Sequence, residues 1–274
     1  MNTFRLYQLT AIILVVLFGL LAIFLFSEVI LHIEDYPEDI SNLTHNEPKT
    51  APKSDHTYVR EEPSSKKDVT GFDVSHYQGD IDWETVSDTI AFVISKATQG
   101  LTFKDPEFSH NWDQIKASGM VRGAYHFYVA SDDPEGQANF FWQTITSYEA
   151  SDLPLILDIE EGSIAEEPIS DEKLQDDVLY FLEVLERLSG KTPMIYVDVS
   201  FANRYLYISE FNRYPLWIAE YTHQSTPQIP SAWSEKGWFF WQRSDSYEDA
   251  DFDGKVDYDI FNGTEEMLKS FTSQ

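Results

Sequence analysis

Residues 155–160, with the sequence Leu-Ile-Leu-Asp-Ile-Glu, are the most informative segment of this chain. Four apolar residues precede or separate two acids within six positions, a pattern typical of a buried β-strand. Side chains two positions apart on a strand point to the same side, about 7 Å apart along the backbone. The segment therefore predicts that Asp158 and Glu160 share one environment at the end of a strand.

The two acids have a chemical consequence if that environment is partly dry. Two like charges held close together away from water cannot both ionise cheaply, so one carboxyl keeps its proton near neutral pH. A carboxyl of this kind can act as a general acid. The segment alone leaves open the alternative that both acids lie at a solvated strand end.

Strand-like and helix-like segments alternate from Thr70 onward. The first five predicted strands are Gly71–Ser75, Ala91–Thr98, Val121–Val129, Leu153–Glu160 and Met194–Val197. The predicted helices between them lie around Trp83–Thr89, at Phe108–Ser118, from Pro134 to about Thr146 and at Asp171–Leu188. Three further strands, Leu216–Glu220, Trp238–Gln242 and Val256–Ile260, are joined by loops. This order predicts an α/β fold, a parallel TIM-like barrel with helices between the first five strands and a helix-poor last three-strand part.

Composition excludes several classes of function. The chain has 274 residues, of which 42% are hydrophobic and none is cysteine, so it has enough apolar residues for one large core but no thiol nucleophile and no disulfide. Lys and Arg total 19 against 47 Asp and Glu, which gives a formal net charge of -28. Such a charge repels phosphate backbones, so we expect no nucleic-acid partner.

The N-terminal part predicts a membrane anchor. An uninterrupted apolar run extends from Ala11 to Phe26, near the roughly 20 residues that cross a bilayer as a helix. Arg5 is the only basic residue before the run and several acids follow it, which favours a cytoplasmic N-terminus. A cleaved signal peptide is the alternative, but no A-x-A-like site follows the run.

These features divide the chain into three predicted parts. Residues 1–33 form a cytoplasmic stub and one transmembrane helix, and residues 34–68 form a disordered linker that is polar and rich in Pro, Ser, Lys and acids. Residues 69–274 form the barrel, which we expect on the extracytoplasmic side of the cell membrane, facing the periplasm or the cell wall.

Acids and aromatic rings follow the predicted strands, with hardly a cation among them. Because barrel chemistry takes place at the C-terminal strand ends, these side chains are expected to line one pocket. Sugar rings stack on aromatic faces, and an oxocarbenium-like charge requires nearby carboxylates, so the pocket suits an uncharged polyhydroxylated substrate. The residues at the predicted strand ends are Asp73, His76, Tyr77, Tyr125, His126, Phe127, Tyr128, Asp158, Glu160, Tyr196, Asp198, Trp217, Glu220, Tyr221, Trp241, Gln242, Asp257 and Asp259.

With these residues assembled, the chain resembles glycoside hydrolase family 25, the Chalaropsis-type lysozymes or N-acetylmuramidases. The resemblance covers roughly Thr70 to Phe261 and rests on seven fragments in the right order and spacing. They are Gly-Phe-Asp-Val-Ser-His-Tyr-Gln-Gly (71–79), Phe-Val-Ile-Ser-Lys-Ala-Thr-Gln-Gly (92–100), Gly-Ala-Tyr-His-Phe (123–127), Leu-Asp-Ile-Glu (157–160), Leu-Trp-Ile-Ala (216–219), Trp-Gln (241–242) and Val-Asp-Tyr-Asp-Ile-Phe (256–261).

The resemblance implies a barrel enzyme that hydrolyses the β-1,4 bond between N-acetylmuramic acid and N-acetylglucosamine in peptidoglycan. It implies Glu160 as the proton donor, Asp158 as its partner, Asp73 as the first-strand acid and Asp257 as the last-strand acid. The expected sugar contacts are Tyr125, Tyr196, Trp241, Tyr77 and Glu220. His126 fits better as a hydrogen-bonded strand-end histidine than as a catalyst.

Three positions depart from the family pattern. Tyr77 stands where tryptophan is common, Glu220 stands where a neutral or basic residue is frequent, and Asp259 replaces a usual asparagine. These departures affect the expected substrate fine structure and pH optimum but not the central acid pair.

The role of Asp158 has two readings. It either attacks the anomeric carbon or orients the 2-acetamido carbonyl of the substrate to do so. We favour the second, because two acids on one strand cannot easily flank opposite faces of a sugar ring. Both routes predict retention of configuration.

Neither a metal nor a cofactor is expected. Asp249, Asp251, Asp253 and Gly254 match the first half of an EF-hand loop, but Ile260 occupies the position of the bidentate glutamate. We therefore interpret this segment as an acidic turn before the last strand.

Two alternative functions stay open, a non-catalytic peptidoglycan-binding module on the same fold and a chitinase-like hydrolase. The expected partners are peptidoglycan glycan strands and, through the N-terminal helix, the membrane. The oligomeric state is left open.

Overall fold

The computed structural model of the chain describes residues 68–86, 90–164, 169–248 and 255–273. The predicted transmembrane helix, the predicted linker and the acidic segment 249–254 lie outside these residues. In the described part of the chain, no helix is long and apolar enough to cross a membrane.

The described strands and helices largely follow the predicted order. The strands are β1 (Val69–Val74), β2 (Ile90–Gln99), β3 (Phe103–Lys104), β4 (Val121–Phe127), β5 (Ile156–Asp158), β6 (Met194–Asp198), β7 (Leu216–Ala219), β8 (Phe240–Glu248) and β9 (Lys255–Phe261). The helices are α1 (Phe108–Ala117), α2 (Pro134–Thr144), α3 (Asp171–Ser189), α4 (Val199–Tyr205) and α5 (Glu265–Thr272). Short 3₁₀ turns lie at His76–Gln78, Glu161–Ile164, Ser209–Arg213 and Ser231–Trp233.

Eight of these strands close into a barrel, as predicted. The strand order is β1-β9-β8-β7-β6-β5-β4-β2, β1 pairs with β2 to close the ring, and β3 pairs only with β2. The prediction that all barrel strands are parallel is wrong for the last one, since β9 runs antiparallel to both β8 and β1. Only residues 249–254 join β8 to β9, which is too short for a parallel crossover but long enough for a hairpin.

Two further predicted segments differ from the structure. Residues 83–86 form a turn and a bend rather than the start of a helix, and residues 87–89 lie outside the described part. The fourth predicted strand, Leu153–Glu160, shortens to β5. Pro154 has no amide hydrogen to donate to a ladder, and Glu160 begins the turn that leads into the 3₁₀ segment, so the regular strand is confined to the residues between them.

The helices begin and end at residues that satisfy their free backbone groups. The side chain of Asp133 accepts from the amide of Gly136 at the start of α2, and Pro134 occupies the first turn. The side chain of Ser170 caps α3 in the same way, and Gly190 ends α3 in a left-handed conformation with φ of 74°.

Two apolar layers build the core. The inner layer fills the barrel with residues such as Ile94, Ile156 and Phe240. The outer layer lies between the sheet and the helices and includes Trp241 and the buried stripe of α3. Because side chains alternate along a strand, Phe240 points inward and Trp241 points outward. The inner layer ends below the rim of the barrel, where polar residues replace apolar ones.

Candidate active site

A cleft of about 430 Å³ opens at the end of the barrel where the parallel strands finish. Seven of the nine predicted site residues line it: Asp73, Tyr77, Tyr125, Asp158, Glu160, Tyr196 and Asp257. Six further residues line it: Lys96, Gln99, Phe127, Trp217, Tyr221 and Gln242, of which the last four are among the residues expected at the strand ends. The structure therefore brings the acids and most of the predicted aromatic rings together.

Asp158 and Glu160 lie on one side of this cleft. Asp158 ends β5, is 7% exposed, and its Oδ1 receives no hydrogen bond from the described residues. Glu160 is half-buried, and its backbone amide donates to the Ser163 hydroxyl at 3.1 Å, which fixes the turn after the strand. Both acids line the cleft, as predicted, but Asp158 lies at the end of the strand and Glu160 lies in the turn that follows it.

Burial raises the pKa of both carboxyl groups in this pair. Loss of water, and then the nearby charge of Glu160, raise the pKa of Asp158 well above its ordinary value. Burial, followed by the charge of Asp198, also raises the pKa of Glu160. The pair therefore holds a proton at a pH where two exposed carboxyls would have lost both, and the two steps of its titration belong to the pair.

Lys96 is the cation of the cleft, and it partly opposes this effect. It comes from β2, is 8% exposed, and its Nζ donates to Gln99 Oε1 at 3.0 Å and lies 5.0 Å from the centre of the Phe127 ring. Its charge lowers the pKa of both Asp158 and Glu160. Burial lowers the pKa of Lys96 itself, and the acids raise it again.

A hydrogen-bonded chain crosses the cleft opposite the pair. Gln242 Nε2 donates to Asp73 Oδ2 at 2.7 Å, and Gln242 Oε1 accepts from the hydroxyls of Tyr196 and Tyr221, both at 2.8 Å. Every polar atom of the Gln242 side chain is thus committed to a neighbour. The amide fixes one oxygen of the buried Asp73 and two phenol groups in a single arrangement.

Asp257 lies beside Asp73 at the start of β9. Burial raises its pKa to about 6, while a hydrogen bond from Asp73 works in the other direction. Burial and the charges of Asp257 and Asp259 raise the pKa of Asp73 well above its ordinary value. This second group of acids therefore also keeps protons in the acidic to neutral range.

Aromatic rings form the walls and the rim. Tyr125 and Tyr196 lie against Trp217, with ring centres 6.5 and 4.6 Å from its ring. Tyr77 stands on the rim, 81% exposed, with its ring centre 4.2 Å from that of His76. His76 is held in turn by Asp105, whose Oδ2 lies 2.7 Å from Nδ1. Flat faces of this kind suit stacking against a sugar ring.

Trp241 and Glu220, both predicted to contact sugar, do not line the cleft. Trp241 points outward into the layer beneath the helices, and its Nε1 donates to the Glu220 carbonyl at 2.8 Å. The Glu220 carboxylate accepts from the amide and the side chain of Gln228, both at 2.7 Å, so it closes a loop. His126 is also structural in its contacts, since it is fully buried between Thr98 and Gln137.

The missed lining residues had weak signals in the sequence. Lys96 sits inside an apolar strand and was part of a matching fragment without an assigned role. Gln242 is among the residues expected at the strand ends, but the sugar contact is predicted for its neighbour Trp241, which points outward. In the part of the chain that the structure describes, no three His, Asp or Glu side chains are grouped so as to hold a metal ion.

Comparisons with known proteins agree with this geometry. The sequence model of "Glycosyl hydrolases family 25" matches residues 72–252. The chain is 36% identical to the "Uncharacterized protein YegX" of Escherichia coli, over 74% of this chain and 73% of that one. It is 30% identical to "Lysozyme M1" of Streptomyces globisporus, over 75% of this chain and 72% of that one. The crystal structure of a bacterial lysozyme from Streptomyces coelicolor superposes with a TM-score of 0.71 at 29% identity, over 76% of this chain and 99% of that one.

Proposed function

The chain belongs to glycosyl hydrolase family 25 and is a glycosidase, and on this premise we propose that it is a muramidase that cleaves peptidoglycan glycan strands. The bond cut is the β-1,4 link between N-acetylmuramic acid and N-acetylglucosamine. Relatives named as lysozyme and N,O-diacetylmuramidase support this substrate class.

One observation carries the proposal, the placement of Asp158 and Glu160 in a single aromatic-walled cleft with raised pKa values. Hydrolysis of a glycosidic bond needs a proton for the leaving oxygen and negative charge beside the anomeric carbon. A pair of carboxyls that shares its protons supplies both at once. A binding module has no use for either.

Glu160 is the general acid in this proposal. Its carboxyl proton passes to the glycosidic oxygen as the bond from that oxygen to the anomeric carbon breaks. The carboxylate that remains then takes a proton from the attacking water, which restores the acid. Glu160 is the more exposed member of the pair, and its carboxyl accepts no hydrogen bond from other side chains of the described residues, so it is free to reach a bound sugar.

Asp158 assists from the floor of the cleft. Its buried Oδ1 has no partner among the described residues, so it is available to a substrate N–H. We assign it to the 2-acetamido group, whose carbonyl oxygen attacks the anomeric carbon and forms a cyclic intermediate that water opens. Two displacements at the same carbon retain its configuration.

Asp73 and Asp257 face the pair from the closing strands. Their negative charge stabilises the positive charge that develops on the sugar ring in the transition state. Tyr125, Tyr196 and Tyr77 are the proposed sugar contacts, and Trp217 joins them because it shares the same wall.

A digest of purified peptidoglycan tests the proposal against its rivals. The chain is expected to release new reducing ends from peptidoglycan and none from chitin. A binding module would sediment with peptidoglycan without releasing ends, and a chitinase-like hydrolase would release them from chitin. Either result would reject the muramidase.

Membrane anchoring is a separate proposal that rests on the apolar run of Ala11–Phe26. A tether with a flexible linker would keep the enzyme at high effective concentration beside the wall and offset the repulsion between an acidic protein and an anionic polymer. We expect the full chain to remain in the membrane fraction after a carbonate wash, and a variant without residues 1–33 to appear in the soluble fraction. Release of the full chain by carbonate would contradict the anchor.

A further inference from the structure

Asp259 is a carboxyl that the proposed mechanism does not use, and it lies fully buried inside the barrel. Its Oδ1 accepts from Trp217 Nε1 at 2.8 Å. No N–H or O–H group of the described residues lies at a distance and angle from which it could donate to Oδ2. A buried carboxylate with one oxygen left without a donor is costly, because charge in a dry place requires compensation.

The missing partner is another acid. The carboxyl groups of Asp73 and Asp259 are neighbours inside the barrel, close enough for a hydrogen bond to form between them when one is protonated. They are held there by adjacent antiparallel strands, since β1 pairs with β9 in a register that sets Asp73 opposite Asp257 and Gly71 opposite Asp259. Two carboxylates have no hydrogen between them, so a hydrogen bond between two aspartates exists only when one of them is protonated.

The neighbours of the two acids restrict where this proton can lie. Trp217 can only donate, so it engages Asp259 Oδ1 as an acceptor. The Gln242 amide likewise engages Asp73 Oδ2. This leaves Oδ1 of Asp73 and Oδ2 of Asp259 for a shared proton, with Asp257 as a second carboxyl to which Asp73 can hydrogen bond.

We propose that Asp259 is a positioning residue for the glycosidase, because it shares one proton with Asp73, fixes the orientation of that side chain and limits the charge of the Asp73–Asp257–Asp259 cluster. The functional part of this inference rests on the proposed muramidase activity. In the working enzyme the Asp73–Asp259 pair carries one negative charge rather than two, so Asp257 ionises beside a single charge.

The surroundings of the pair support the retention of this proton. Burial is the largest cause that raises the pKa of both acids, and the charge of Asp257 on β9 adds to it. Other titratable groups that line the cleft or lie near Asp257 come from β4, β5, β6, β8 and the segment after β7, and Lys96 on β2 is the cation among the residues that line the cleft. These groups are Tyr125, Asp158, Tyr196, Asp245 and Tyr221.

Titration of the aspartate side chains by carboxyl ¹³C NMR tests the inference on the full-length chain and needs no substrate. In the native chain, we expect one carboxyl of the Asp73–Asp259 pair to remain protonated at pH 7. In Asp259→Asn the new amide donates to Asp73 while its oxygen still accepts from Trp217, so Asp73 should ionise at least about two pH units lower. Asp245→Asn is the matched control, because it removes an exposed charge near Asp257 without a bond to Asp73 and should move the Asp73 titration by less than about half a unit.

Activity on peptidoglycan supplies the second readout. Asp259→Asn preserves the orientation and the single negative charge, so it should retain at least about a third of kcat/KM at pH 6. Asp259→Leu leaves both Trp217 and Asp73 without their partner and should lose more than about tenfold.

The outcomes separate the inference from the proposed function. Ionisation of both Asp73 and Asp259 below pH 5 in the native chain, or an Asp73 titration that is the same in the native chain and in Asp259→Asn, would overturn proton sharing even if the enzyme cleaves peptidoglycan. Equal kcat/KM losses in Asp259→Asn and Asp259→Leu would overturn the positioning role. A protonated pair in a chain that releases no reducing ends would leave proton sharing in place and reject the muramidase.

Discussion

Asp73 and Asp257 are paired residues on β1 and β9, the two strands that close the barrel. Because β9 runs antiparallel to its neighbours, its beginning rather than its end lies at the open end of the cleft. Asp257, the third residue of β9, therefore meets Asp73 near the end of β1. The reversal of one strand thus places a second carboxyl group opposite Asp158 and Glu160.

Glu160→Gln is expected to abolish most of the activity while leaving the fold intact. Glutamine keeps the shape of the side chain but has no acidic proton, so kcat should fall by about 10²- to 10⁴-fold. The measurement is the rate of reducing-end release from peptidoglycan, with circular dichroism as the check on folding. Glu161→Gln, an exposed neighbour, is the matched control and should keep full activity. Equal losses in both variants would contradict the assignment.

Lys96→Met is expected to move the alkaline limb of the pH profile upward. The lysine charge lowers the pKa of Asp158 and Glu160, so its removal raises both and the pair keeps its proton to a higher pH. The midpoint of the alkaline limb of kcat/KM should rise by about half to one pH unit. Lys96→Arg retains the charge and should leave the midpoint in place. An unchanged or lower midpoint in Lys96→Met would show that the lysine does not act on the pair.

Asp158→Asn is expected to stabilise the protein at alkaline pH although it impairs catalysis. The pKa of Asp158 is higher in the folded than in the unfolded chain, so the folded state binds its proton more tightly. The contribution to the free energy of unfolding is complete below the unfolded pKa of about 4 and is lost as the pH rises through the folded value.

Asparagine stays neutral throughout this range. At pH 8 the unfolding temperature of Asp158→Asn should exceed that of the native chain by about 3–6 °C, and the difference should shrink as the pH falls toward 4. Asp113→Asn, an exposed change on α1, should show no such dependence on pH. A lower unfolding temperature for Asp158→Asn at pH 8 would mean that the carboxylate is well accommodated.

Gln242→Leu is expected to weaken the enzyme through the orientation of Asp73. The substitution removes the hydrogen bonds that Gln242 makes with Asp73, Tyr196 and Tyr221. Loss of such partners costs about 1–3 kcal/mol, which corresponds to a fall in kcat/KM of roughly 10- to 100-fold. Gln228→Leu, which breaks a bond to Glu220 outside the cleft, should change kcat/KM less than about twofold. Steady-state kinetics on soluble glycan fragments would show the difference, and equal effects would contradict it.

The barrel could be predicted because its strands are short apolar runs separated by helical segments with clear ends, such as α3 between Ser170 and Gly190. The direction of β9 could not be predicted from its residues, because the alternation in Val256–Ile260 is the same for either direction. Only the length of the connection after β8 contains that information. The late start of β5 follows from Pro154, a local signal that the apolar pattern concealed.

Site residues could be predicted where a residue pattern implies chemistry. They could not be predicted where the direction in which a strand side chain points decides whether it lines the cleft. Asp158 and Glu160 stand out because acids interrupt an apolar run. Trp241 was assigned to the wrong face, because a shift of one residue along a strand reverses every side chain. The role of Lys96 could not be predicted, because it depends on the acids that end the neighbouring strands. The sequence of β2 alone does not show which strand ends lie next to this lysine.

Mass spectrometry of peptidoglycan digested by the chain and then reduced with borohydride tests the central claim most directly. The account predicts fragments that end in reduced N-acetylmuramic acid, formed by the native chain and absent with Glu160→Gln. Fragments that end in reduced N-acetylglucosamine, or fragments formed equally by the two proteins, would contradict it.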